Sequence, residues 1–208
     1  MTSTPADAVR SLRAAAQGHL RADADTVRPV RWVIDRRQGR LVFPIPREFD
    51  DLTEAQLLIP EEHDPHIAAL LTIEVTTAPP AAAEIRHEVY HGPAREAQWA
   101  LATIEALRHH GETFDRDELA LIDPLIDPLA DHEPALCRAL NADPARLAEL
   151  CQHHAGTHVA EPVAVGVDPD GIDVRAKFGI VRIEFAAMVA TLEAAQDAIA
   201  QLAAGAQA

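Results

Sequence analysis

Apolar and polar positions alternate most clearly from Glu161 to Phe185, EPVAVGVDPDGIDVRAKFGIVRIEF. Alternation puts Val163, Val165 and Val167 on one face of a first strand, Ile172, Val174 and Ala176 on one face of a second, and Val181, Ile183 and Phe185 on one face of a third. The pattern predicts an antiparallel meander with one core face and one wet face. Asp168-Pro169-Asp170-Gly171 supplies the first turn: Pro169 presets φ, and Gly171 is expected to take the positive φ of a type I turn with a bulge. Gly179 is expected to do similar work in the second connection. Asp168 and Asp170 favour the turn through side-chain to backbone hydrogen bonds, and Asp173 is expected on the wet face.

On either side the period becomes helical. Leu136, Cys137 and Leu140 mark one helix; a second starts at Asp143 with Pro144 in its first position, carries Leu147, Leu150, Cys151 and His154, and stops at Gly156. After the meander Thr191 caps a last helix, with Leu192, Ala195, Ile199 and Leu202 on one face. This half of the chain therefore reads α-α-β-β-β-α.

Toward the N-terminus, Thr4 and Pro5 open a helix predicted to run to about Ala22, with Val9, Leu12 and Ala16 as a modest apolar face. Val30, Trp32 and Ile34, then Leu41, Phe43 and Ile45, predict a hairpin around Gly39. Pro44 and Pro46 cannot donate to a ladder, which places the second strand at an edge or ends it early. Short strands are expected at 56–59, 69–75 and 85–91, broken by Pro60, Pro65, Pro79, Pro80 and Pro93. Such spacing suggests a small barrel or sandwich. The segment 98–107 fits a strand face and a helix face alike. A tandem tetrapeptide, Leu121-Ile122-Asp123-Pro124 and Leu125-Ile126-Asp127-Pro128, is read as part of a linker. The predicted layout is an N-terminal helix at 1–26, a β domain at 27–118, a linker at 119–132 and a C-terminal module at 133–204, in the α+β class.

Charge narrows the function. The chain of 208 residues carries a net charge of −15, its one lysine is Lys177 and it has no dense basic block, which argues against nucleic-acid binding. No apolar run approaches the ~18 residues of a membrane span, and the polar N-terminus lacks a signal-peptide core, so a cytoplasmic protein is expected. Cys137 and Cys151 fall at apolar helical positions and read as buried thiols. With Ser3 and Ser11 as the only serines, both in the N-terminal helix, serine-nucleophile chemistry has little support.

The chain has eleven histidines, which raises the question of metal or haem. His87 and His91 would share a helix face, but a strand at 85–91 sets them roughly 13 Å apart. His63 and His66 flank a loop, and His153, His154 and His158 straddle the helix stop at Gly156; no matching cysteine or acidic set accompanies them, so no metal site is expected. Haem needs only one axial histidine, and His109, His110 and His158 are the loop candidates.

The GVDPDGIDVRA run, the VRIEF strand after it and the flanking helices resemble the small C-terminal domain of unknown function that follows a split barrel of the pyridoxamine-phosphate-oxidase type in haem-utilisation proteins. The same domain pairing occurs in the plant protein that binds glutamyl-tRNA reductase. The resemblance covers residues 133–203 and, more faintly, 28–118. It implies a split-barrel-like β domain, haem or FMN as cofactor, and pairing as a homodimer; it also favours a strand at 98–107. Three departures accompany it. The FMN phosphate cluster has no equivalent, which leaves Arg28, Arg31, Arg86 and Arg95 as the candidate contributors. The turn at His109–Phe114 replaces a glycine-rich aromatic one. Asn141-Ala142-Asp143-Pro144 stands where relatives carry an Asn-acid-acid-His sequence. The expectation is a ligand-binding protein that holds haem or a flavin, with no catalytic residue assigned. The alternative is a non-catalytic regulatory or protein-interaction protein that has lost the cofactor site.

Overall fold

A computed structural model describes residues 3–60, 65–120 and 127–206. The chain forms two compact units, Met1–Ile126 and Asp127–Ala208. His63 and residues 121–126 of the tandem tetrapeptide lie outside the described residues. The fold is α+β and split-barrel-like, as predicted.

The first unit opens with α1 (Pro5–Ala14), held by a capping box between Thr4 and Asp7. It ends well short of Ala22. Gln17–Arg21 is instead strand β1, paired with β2 (Val27–Arg31) and with β5 (Glu54–Ile59). Gly18 explains the switch, because a Cβ there would lie 2.5 Å from the Leu58 carbonyl oxygen of β5. The predicted hairpin is β3 (Val33–Asp35) with β4 (Arg40–Ile45), turning through Gly39 at φ 63°. Pro44 lies opposite Trp99 of β7 (Gln98–His109) and beyond the end of β3, whose pairing stops at Val42, so β4 is interior yet has no second ladder there to lose. β6 (Ile67–Thr76) lies between β5 and β7, and β8 (Glu112–Asp115) returns along β7. The segment 98–107 is thus strand.

The order β2-β1-β5-β6-β7-β4-β3 places β2 and β3 at opposite ends of the path, yet only Trp32 separates them in sequence. The sheet must therefore curl until its two edges approach. Leu20, Leu41, Phe43, Leu57, Leu71 and Leu107 fill its interior together with Trp32, and Ala8, Val9 and Leu12 of α1 join the same cluster. One face of that helix thus joins the barrel core.

The expected strand at 85–91 is wrong. Ala81–His91 is α2, which starts after Pro80 and stops at Gly92 with φ 83°. Ala83, His87 and Tyr90 are its buried residues, a helical spacing that competes with the alternation read from Ile85 to His91. The helix packs on β3 and β4, on the sheet face opposite the barrel interior. A short helix, α3 (Arg116–Ala120), closes the unit.

The second unit follows the predicted order: α4 (Glu133–Asn141), α5 (Pro144–Ala155), β9 (Val163–Asp168), β10 (Gly171–Ala176), β11 (Gly179–Glu184) and α6 (Leu192–Gly205). Asp143 and Thr191 cap their helices through side-chain oxygens, and Gly156 ends α5 in the left-handed region. Two details of the meander differ. The register skips from Gly166 to Ala164 between Asp173 and Val174, so Val165 is bulged and Ala164, not Val163 or Val165, joins Val167, Ile172 and Val174 in the core. The second face is not wet: Asp173 is 5% exposed, and both it and Asp168 bond Arg182, at 3.0 and 2.6 Å. Burial opposes the charge on Arg182, but Asp173 and Asp168 outweigh it and hold the guanidinium protonated.

Among the described residues no helix is long and apolar enough to cross a membrane.

Candidate functional site

Strand parity decides what the outer sheet face of the first unit presents. Ile67, Ala69, Leu71 and Ile73 of β6 point into the barrel, so Ala68 and Leu70 point away from it. The register sets Ala68 beside Arg108, Leu70 beside Ala106, Gln56 beside Leu70, and Arg21 beside Gln56. Thr113 of β8 lies opposite Arg108. These residues line an open groove of about 450 Å³, floored by Leu58, Ala68, Leu70 and Ala106 and flanked by Arg21, Arg108, Gln56 and Thr113. Leu70 is 45% exposed there. Short alanines make the depth, because their neighbours on the strands extend past them.

Pro65 and Thr113 line one side of the groove, and the β7–β8 turn lies next to it without lining it. His110 and Gly111 both have positive φ, 48° and 90°, and His109 pairs with Glu112, which makes this a two-residue hairpin turn of type I′. The backbone N–H of His110 donates to the His66 carbonyl at 3.2 Å. The two imidazoles come to 5.7 Å, and both residues are exposed. His109 lies on the interior side of β7, 6% exposed, with Nδ1 2.6 Å from the Ser3 hydroxyl. Burial lowers its pKa first and the neighbouring His110 adds to this, while Asp7 pulls the other way. The ring is pinned on the interior side of the strand, facing away from the outer groove.

The remaining predicted residues do not converge. His158 is exposed in the loop between α5 and β9 of the second unit. Arg28 pairs with Glu48 at 3.4 Å and lines a separate hollow with Asp23, Asp51 and Phe49. Arg31 lies near His87 and His91, whose protonation its charge opposes. Arg86 donates to the Tyr90 hydroxyl at 2.8 Å and stacks on its ring at 4.8 Å. Arg95 is exposed in the loop before β7. Arg21 and Arg108, neither of which stood out in sequence, share one concave face. The signal available was their outward parity on strands, which a helix read across residues 17–21 conceals.

α2 overturns the separation argued for His87 and His91. Their rings come to 4.9 Å on one helix face, and the His87 ring meets Trp99 edge-on at 5.2 Å. His91 Nε2 donates to the Trp32 carbonyl at 3.0 Å, and neither ring nitrogen of His87 completes a well-formed hydrogen bond. Among the described residues no group of three or more His, Cys, Asp or Glu could hold a metal ion. Burial lowers both pKa values, that of His91 to about 4. Unfolded imidazoles take up protons from about pH 6.5 downward. Stability from this packing is therefore complete above that pH and is lost progressively as pH falls toward 4. Urea unfolding followed by tryptophan fluorescence is expected to show a lower midpoint at pH 5 than at pH 7, and His91→Gln, which keeps a donor, should flatten the difference.

No family model matches the chain, and no curated protein matches it. The fold is similar to that of the protein Atu2129 of Agrobacterium tumefaciens, of unknown function, with a TM-score of 0.69 at 15% identity over 98% of this chain and 97% of that one. A haem-binding protein from Mycobacterium smegmatis aligns over 100% of this chain and 99% of that one with a TM-score of 0.40 at 18% identity, a level at which no shared fold follows.

Proposed function

We propose that this chain is a ligand-binding protein whose outer-sheet groove takes a planar anionic cofactor, haem first among them. The observation that carries the reading is an apolar floor flanked by two arginines in one groove, with the paired His66 and His110 rings next to it in sequence and on the strands. A flat ring can lie on Ala68, Leu70 and Ala106, which stand no taller than the sheet allows. Arg21 and Arg108 suit carboxylates at the ring edge, since a guanidinium offers paired donors to a carboxylate. His66 and His110 would supply an imidazole to the iron. The resemblance to haem-utilisation split barrels points the same way, and pairing of two copies over this half-open face belongs to the same proposal. No catalytic group is assigned.

Haemin and FMN added separately to the purified full-length protein test the reading. Haemin is expected to give a saturable shift of its main visible band, and Arg21→Gln or Arg108→Gln should each weaken binding about tenfold, the worth of one charge-assisted hydrogen bond. A flavin response with no haemin response would move the assignment to FMN. Silence from both, with self-association lost on Leu70→Glu, would favour the protein-interaction role that exposed Leu70 also allows.

A further inference from the structure

We propose that the C-terminal unit carries a second, separate ligand site: a cleft between α4, α5 and α6 that holds the alkyl chain of a medium-chain alkyl carboxylate, with Arg146 taking the carboxylate. The cleft measures about 300 Å³, and Leu136, Leu140, Leu147, Leu150, Leu192 and Ile199 form its walls. Leu136, Leu147 and Leu150 belong to the core beneath it. Ala135 and Ala139, one turn apart on α4 and exposed, keep the cleft open where longer side chains would close it.

Three polar residues reach this apolar space: Asp143, Arg146 and Gln196. Asp143 is engaged at the helix start, where its Oδ1 accepts from the Arg146 backbone N–H at 3.0 Å. Arg146 is half-buried as a residue and, among the described residues, its guanidinium has no carboxylate partner. That is unusual in a chain with 33 acidic and 18 basic residues, where a cation is surrounded by a surplus of potential partners. A cation beside a leucine-lined cleft is complementary to an anionic head on an apolar tail. Volume sets the tail: at roughly 30 Å³ per heavy atom, by comparison with the share of liquid volume that a water occupies, the cleft takes about eight to ten atoms.

Calorimetric titration of the full-length protein with hexanoate, octanoate and decanoate tests this. Affinity is expected to rise about fourfold per methylene, the value of one buried CH₂ group, until the cleft is full. Arg146→Gln should weaken octanoate about tenfold. Ala139→Trp should abolish binding while far-ultraviolet circular dichroism remains that of the parent. Octanol should bind at least tenfold more weakly than octanoate. Equal binding of octanol and octanoate, no dependence on chain length, or no effect of either variant would overturn the proposal. So would an unresponsive parent whose sedimentation mass changes on Ala139→Trp, because the cleft would then be an interface between copies.

Discussion

Gly171→Ala is expected to cost the C-terminal unit about 3 kcal/mol or more, the upper range for overpacking a tight site. A glycine is needed here for space rather than for a left-handed backbone. Asp168 pairs with Gly171, so the loop is Pro169-Asp170 alone, and Gly171 is absent from the residues of positive φ. A Cβ would overlap the Ile183 carbonyl oxygen and sit 3.1 Å from both Glu184 Cα and Arg182 Nε. The strand cannot easily move aside, because the Phe185 N–H donates to the Asp170 carbonyl and the Val189 N–H to that of Pro169, each at 2.8 Å. Hydrogen exchange at β10 and β11 reads the effect directly. Those amides should lose protection in Gly171→Ala, while tryptophan fluorescence, which comes from Trp32 and Trp99 of the first unit, stays unchanged. Parent-like protection would show that β11 does not cross so closely.

Arg182→Met is expected to be as damaging, at about 3–5 kcal/mol, because it removes a buried cation that joins two buried carboxylates. Arg182 Nη2 and Nη1 bond Asp168 at 2.6 and 2.9 Å, and Nη1 bonds Asp173 at 3.0 Å. Asp168 Oδ1 also accepts from the backbone N–H groups of Asp170 and Gly171, so the pair and the turn share an atom. Loss of the guanidinium leaves two carboxylates repelling each other inside the unit. Arg182→Lys should recover only part of the loss, since one ammonium cannot reproduce the two-armed bridge. The triple variant Arg182→Met, Asp168→Asn, Asp173→Asn should recover more stability than Arg182→Lys. A single Arg182→Met variant with the urea midpoint of the parent would show that the bridge contributes nothing.

Features whose cause is local were legible in the chain. Thr4, Asp143 and Thr191 cap the helices that their side chains announce, Gly156 ends α5, and β10 and β11 follow their own alternation. Features set by distant partners were not. Gly18 looks helical beside its alanine-rich neighbours until β5 is known to press against it. Ile85 to His91 alternates like a strand, but Ala83, His87 and Tyr90 meet the sheet at helical spacing. Arg182 is one arginine among many until the turn carries Asp168 and the β10–β11 register sets Asp173 opposite it. The groove required three such facts together: β1 as strand, the outward parity of β6 and β7, and the tight turn at His110. For that reason the histidines of the turn were visible in sequence as candidates, whereas Arg21 and Arg108 were not.

The cofactor is proposed to bind in the outer-sheet groove, with His66 and His110 beside it. Haemin titration of the parent, of the His66→Ala/His110→Ala double variant, and of His109→Ala and His158→Ala separately tests it most directly. One saturating haem per chain, lost in the double variant and kept in the other two, is the predicted result. Binding that survives the double variant and disappears with His109 or His158 would place the ligand elsewhere.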